Sequence, residues 1–191
     1  MKLTVPICLM ALLTSVSTYS GLQGKEGATC TGKVVPITLL GPKMSGPRVS
    51  FRSGSAFWEP IRSVIRNQTE FNDFWKRLHS PDAKHDPFPN LPPLPEIDFS
   101  QEMIIVAGMG QRPSSGYWII IDGACETDGH LEIFVRSING RRCTSLGGIT
   151  APVDVVRIPR TNLPVEFREV EVNCDEWMRQ NLRPAAQRIK N

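Results

Sequence analysis

The stretch GMGQRPSSGYWIII, Gly108 to Ile121, sets three glycines, an arginine, a proline and two serines directly before and within the start of a strongly apolar run. A dinucleotide-binding loop needs G-x-G-x-x-G opening a helix, so that the helix N-terminus meets the pyrophosphate. Here the glycine after Gly108 and Gly110 is Gly116, and a β-rich run follows it. A nucleophile elbow needs G-x-S-x-G on a strand-to-helix turn, and Ser114 and Ser115 lack that glycine frame. What fits is a tight corner between two inner strands. Glycine at 108, 110 and 116 permits positive φ, Pro113 stiffens the middle, and Arg112 can bond exposed carbonyls or a partner's carboxylate. Such a corner displays Arg112, Ser114 and Ser115 at the rim of a domain, where partner-binding loops commonly sit.

Outward from the corner the sequence alternates in the manner of strands over 102–108, 116–124, 131–136, 153–158 and 165–174. Tyr117–Ile121 is apolar on both alternating faces, which predicts a central strand covered on each side. In LEIFVR, Leu131, Ile133 and Val135 share one face and Glu132 and Arg136 the other, as in a half-exposed strand. In VEFREVEVNC the alternation slips at Arg168-Glu169, which predicts a β-bulge. Upstream, Val34–Leu40 and Pro60–Arg66 read as strands, separated by a Gly/Pro/Ser/Arg-rich loop to about Ser55. In NQTEFNDFWKRLHS, Phe71, Phe74, Trp75 and Leu78 fall at i, i+3, i+4 and i+7, which predicts an amphipathic helix capped by Thr69, its aromatic stripe facing the core. Asn67-Gln68-Thr69 also matches a glycosylation sequon, with nothing further to support its use. Prolines at 81, 87, 89, 92, 93 and 95 then exclude helix and inner strand, leaving an extended spacer or a docking strip. The expected fold is mainly β within the α+β class: an antiparallel sheet curled into a sandwich or partial barrel, with one amphipathic helix before the main strands.

A length of 191 residues, 40% of them hydrophobic and 21% charged, suits one globular domain with appendages. MKLTVPICLMALLTSVSTYSG has a basic start, an apolar stretch and small residues near Ser20, the pattern of a secretory signal peptide. Neither Cys8 nor Cys30 sits where a lipoprotein cysteine must, so a soluble protein exported to the periplasm or the extracellular medium is expected, without a membrane after cleavage. The expected organisation is a signal peptide over 1–20, an N-terminal arm and loop region over 21–59, a β domain over 60–174 and a tail over 175–191. Removing 1–20 leaves 21 basic and 19 acidic side chains. So small a surplus gives no reason to expect nucleic acid as a partner.

Cleavage leaves Cys30, Cys125, Cys143 and Cys174, an even number in an exported chain, and so two disulfides with three connectivities open. An up-and-down meander puts Cys125 at one end of the sheet and Cys143 and Cys174 at the other. Because a disulfide needs Cα atoms within about 7 Å, Cys30–Cys125 and Cys143–Cys174 are the favoured pairs. No cysteine stands in a CxxC or at metal-ligand spacing from a histidine, so neither a metal nor another cofactor is expected. His79, His85 and His130 are scattered, with no nucleophile or base suggested beside them, and are assigned surface roles. Asp98 reads as a turn former. No catalytic residues are assigned, and no enzymatic activity is expected.

Taken in order, TEFNDFWKRL, IDF, EMIIVAGMG, GQRPSSGYWIII, LEIFVRSINGRRC and APVDVVRIP resemble the C-terminal domain of the PrcB protease-complex subunit family: a helix, an aspartate-phenylalanine step, an apolar strand, a G-x-R-P-T/S-x-G-Y turn, a second strand, a hairpin and a final strand. The resemblance runs from about Thr69 to Pro159. It implies a non-catalytic exported accessory domain that associates with and stabilises a secreted protease or another envelope protein. Its turn residues map to Gly110, Arg112, Pro113, Gly116 and Tyr117, with Ser115 where the family often has a second glycine. The turn RPSSGYW is also similar to the N-P-T-T-G-Y loop of chagasin-like cysteine-protease inhibitors of immunoglobulin-like fold. Arg112 replaces the asparagine there, and the R-P-W loop of that family has no counterpart. Gly110 to Tyr117 is therefore the candidate partner-binding or structural turn.

Overall fold

A computed structural model describes residues 29–40, 51–53, 57–79, 93–140 and 147–177. The strands are β1 (Lys33–Val35), β2 (Thr38–Leu39), β3 (Phe51–Ser53), β4 (Pro60–Ile65), β5 (Glu102–Met109), β6 (Arg112–Ser114), β7 (Trp118–Thr127), β8 (His130–Asn139), β9 (Gly147–Pro159) and β10 (Val165–Asn173). The helix α1 (Gln68–Leu78) lies between β4 and β5. One sheet has the order β1-β7-β8-β10; the other has the order β2-β9-β5-β4, with β3 and β6 also pairing β9. The fold is thus a mainly-β sandwich, as the sequence predicts, and the sheets do not close into a barrel.

Three layers follow from which faces are apolar. In β5, Met103, Ile105, Ala107 and Met109 meet Ile119, Ile121, Leu131, Ile133, Val156 and Ile158 between the sheets. The intervening Ile104 and Val106 point the other way, with Val153 and Val155, onto the helix stripe Phe71, Phe74, Trp75 and Leu78. Each fully buried aliphatic or aromatic side chain contributes about 1.5–3 kcal/mol relative to an exposed one, so both faces of this sheet are held. The outer face of β7 is covered as well: Ile120 packs with Ile138, Cys174 and Trp177, the last two on a helical turn at 174–177.

Several local expectations need correction. The helix is capped by Asn67, whose Oδ1 accepts from the Glu70 N–H at 2.9 Å. Thr69 lies inside the first turn, where its hydroxyl is too late in the chain to cap. Val34–Leu40 is two strands, because Pro36 lacks an N–H and ends the ladder: β1 pairs β7 in one sheet and β2 pairs β9 in the other. The slip in β10 is no bulge. Val165 to Asn173 pairs Leu131 to Asn139 residue for residue, and in parallel, the exception in an otherwise antiparallel sandwich. Instead, the strand changes which face is covered: Val165 and Phe167 join the inter-sheet core, while Val172 packs outward against the Trp177 cluster.

A bulge does occur in β7, where the register shifts between Ile121 and Gly123. Asp154 of β9, 5% exposed, uses it: its Oδ2 accepts from the Ile121 N–H at 2.8 Å and its Oδ1 from the Val155 N–H at 3.1 Å. A buried carboxylate is tolerated because backbone donors satisfy it, and here it ties one sheet to the other. At the far end of β7, the disulfide Cys30–Cys125, with Cα atoms 5.5 Å apart, fastens the N-terminal segment as favoured from the sequence. Cys174 is disulfide-bonded too. Cys143 and the proline-rich stretch through Pro92 lie outside the described residues.

Candidate functional site: the corner between the sheets

The corner carries the chain from β5 in one sheet to β7 in the other. Gly110, at φ +72°, makes the turn. A Cβ there would come within 2.8 Å of Pro60 N and Trp58 O, so residues 58–60 pass against it, and the Trp58 carbonyl accepts the Gln111 N–H at 2.8 Å. Arg112 and Ser114 then pair Thr150 and Gly147 of β9, and the Thr150 hydroxyl donates to the Ser114 carbonyl at 2.8 Å. The corner therefore contains a short strand, rather than the plain turn expected. Ser115 and Gly116 form the final turn. Gly116 is outside the left-handed region that the sequence allowed it; its backbone instead lies where a side chain at Gly140 would overlap it. Two glycines meeting back to back let the end of β8 approach the corner.

A groove of about 530 Å³ opens beside this turn, lined by Met109, Arg112, Pro113 and Tyr117 of the corner region, Pro60 and Arg62 of β4, Ser137 and Asn139 of β8, and Glu169 and Glu171 of β10. The two arginines differ in what they do. Arg62 forms a bidentate pair with Glu169, at 2.8 and 2.7 Å, and its Nη1 donates to the carbonyls of Ile61 and Gly108. It clamps β4 to β10, residues 107 positions apart, across the open side of the sandwich. Arg112 lies 5.9 Å above the Tyr117 ring centroid and gives one long bond, 3.3 Å, to the Gln111 carbonyl. Among the described residues no carboxylate pairs with it. Asn139 donates to Glu171 at 3.1 Å, which fixes the acidic wall.

Apolar surface flanks the same end. Trp58, whose carbonyl receives Gln111, is 49% exposed, and Ile149, next to the Thr150 that pairs Arg112, is 61% exposed. Tryptophan, tyrosine and arginine are the residue types enriched at energetic hot spots in protein interfaces. The structure thus gathers Gly110, Arg112, Pro113, Ser114, Ser115, Gly116 and Tyr117 at one place. It adds Arg62, Glu169 and Glu171, which no local pattern singles out, and Trp58, which stands out in the sequence only as an aromatic residue outside any periodic stripe.

The other singled-out residues lie elsewhere. His79 follows α1, its ring 4.4 Å from that of Trp75. His130 opens β8, 3.5 Å from Glu132, and His85 lies outside the described residues. Asp98 forms its turn: the Ser100 hydroxyl and N–H both donate to Oδ1, at 2.6 and 2.9 Å, and hold the carboxyl below its usual value.

The fold and site define a two-sheet sandwich with a helix on one face and a grooved corner at one end. Residues 103–159, from β5 through β9 with the corner between them, match the family model described as PrcB C-terminal, the family that the sequence resembles. No curated protein matches the chain, and no solved structure does. The family match points to an accessory domain of the kind found in a protease complex. No helix of the described residues is long and apolar enough to cross a membrane.

Proposed function

We propose that the protein is an exported, non-catalytic accessory subunit that binds a secreted protease through the corner groove and keeps it active. The observation that carries this reading is Arg112: it faces a groove without an acidic partner among the described residues, whereas Arg62 beside it is fully engaged. Trp58 and Ile149 add apolar contact area around it. A guanidinium stacked near an aromatic ring keeps its fork directed outward for a carboxylate. The periplasm or the medium is the proposed location, in keeping with the disulfide.

The test is a pull-down from native envelope and culture medium with the tagged protein, comparing wild type with Arg112→Ala and assaying the eluate for proteolysis. An identified protease that stays active, bound at least about 30-fold more weakly by the variant, is the expected result, since a hot-spot arginine contributes about 2 kcal/mol or more. Equal binding by the variant would remove the corner from the interface. A protease that is retained but silenced would favour the inhibitor resemblance instead.

A further inference from the structure

At the opposite end of the β8–β10 pair, independent of the corner, three side chains with metal-binding atoms converge. His130 and Glu132 share one face of β8 because they are two residues apart. Glu166 is the direct partner of Glu132 on β10, so its side chain rises on the same face. The potential ligand atoms of all three lie within 4.8 Å of one another. His130 Nε2 is buried, makes no hydrogen bond, and sits 3.5 Å from Glu132 Oε1. Ligand bonds of about 2.0–2.2 Å in a tetrahedral zinc site put neighbouring ligand atoms about 3.4 Å apart. The His130–Glu132 spacing already fits that edge.

The geometry points to a divalent-cation site of the zinc class, formed by His130, Glu132 and Glu166, for which Arg168 is the resident competitor. Arg168 Nε donates to Glu132 Oε1 at 2.9 Å, and its Nη2 lies 3.2 Å from Glu166 Oε2. Its charge offsets the repulsion between two adjacent carboxylates, as a bound cation would. The side chains of Glu132 and His130 are 15% and 22% exposed, whereas those of Arg168 and Glu166 are 53% and 52% exposed, on the solvent side of the cluster. An entering cation takes the histidine nitrogen and one oxygen from each carboxylate, and the guanidinium swings into solvent. Imidazole with two carboxylates suits zinc, whereas magnesium and calcium prefer all-oxygen shells. Glu132 lies five residues along β8 from the groove residue Ser137, about 17 Å, and Glu166 three along β10 from Glu169, but the side chains of the site and of the groove alternate to opposite faces of these strands, so occupancy of the site does not obstruct the corner.

The experiment is isothermal titration of the untagged protein with zinc chloride in a non-chelating buffer, repeated with cobalt(II) to read the ligand set by absorption. One equivalent is expected to bind, weakened by about tenfold or more in His130→Ala and in Glu166→Gln, and tightened in Arg168→Gln because the competing cation is gone. Glu166 is exposed, so its variant keeps the fold even if the histidine variant does not. Absence of saturable one-equivalent binding in both wild type and Arg168→Gln would overturn the inference. So would binding that neither His130→Ala nor Glu166→Gln weakens.

Discussion

Replacing Gly110 with alanine probes how the corner is held. The backbone at Gly110 has φ +72°, and an L side chain in the left-handed region costs about 1–2 kcal/mol. The added Cβ would also meet Trp58 O and Pro60 N at 2.8 Å and Glu59 C at 2.9 Å. All three are backbone atoms, so relief requires shifting residues 58–60 away from the corner, which strains the Gln111 N–H to Trp58 O bond and the start of β4. Overpacking of this kind costs about 1–3 kcal/mol, giving a total of about 3 kcal/mol and a fall in Tm of about 10 °C for a domain of this size. Gly129 supplies the control. It has φ +82°, and nothing lies within 4 Å of the point where a Cβ would stand, so Gly129→Ala should show the conformational cost alone. Thermal unfolding followed by circular dichroism of both variants is the assay. A Tm for Gly110→Ala within about 2 °C of wild type, or equal shifts for the two variants, would refute the claim that residues 58–60 brace the corner.

Two further outcomes follow from the covalent and ionic ties. Opening the Cys30–Cys125 link by the double serine variant removes a closure spanning 95 positions, which should lower stability by about 4–5 kcal/mol in chemical denaturation; a loss below about 1 kcal/mol would show that β1 is held by its ladder alone. The Arg168 hydrogen bond, with a smaller effect from His130, holds the Glu132 carboxyl below its usual value, so its stabilising effect is complete above the unfolded-state pKa and is lost as pH falls through the lower folded value. Arg168→Gln should raise the Glu132 titration midpoint measured by NMR, and an unchanged midpoint would assign the depression to another group.

What the sequence disclosed is what local pattern can carry. The stripe Phe71, Phe74, Trp75 and Leu78 and the alternation Leu131, Ile133, Val135 record burial directly, because period and face are the same fact. The corner was legible because Gly110 admits the positive φ that its turn needs and Pro113 fixes its own φ, whatever surrounds them. The parallel β8–β10 pairing was not, since alternation tells which face is buried and nothing about which strand lies alongside. The slip at Arg168-Glu169 has two causes with one signature, a bulge or a change of covering layer, and only Trp177 arriving on the outer face decides between them. The groove's far wall was hidden for a similar reason: Arg62 and Glu169 become neighbours only once β4 and β10 come to the same open side of the sandwich.

The most direct measurement of the central claim is amide hydrogen exchange on the protein with and without the protease it retains. Protection concentrated at residues 109–117, with the amides around Trp58, is the predicted result. An unchanged exchange rate across the corner, with protection appearing on another face, would contradict the account.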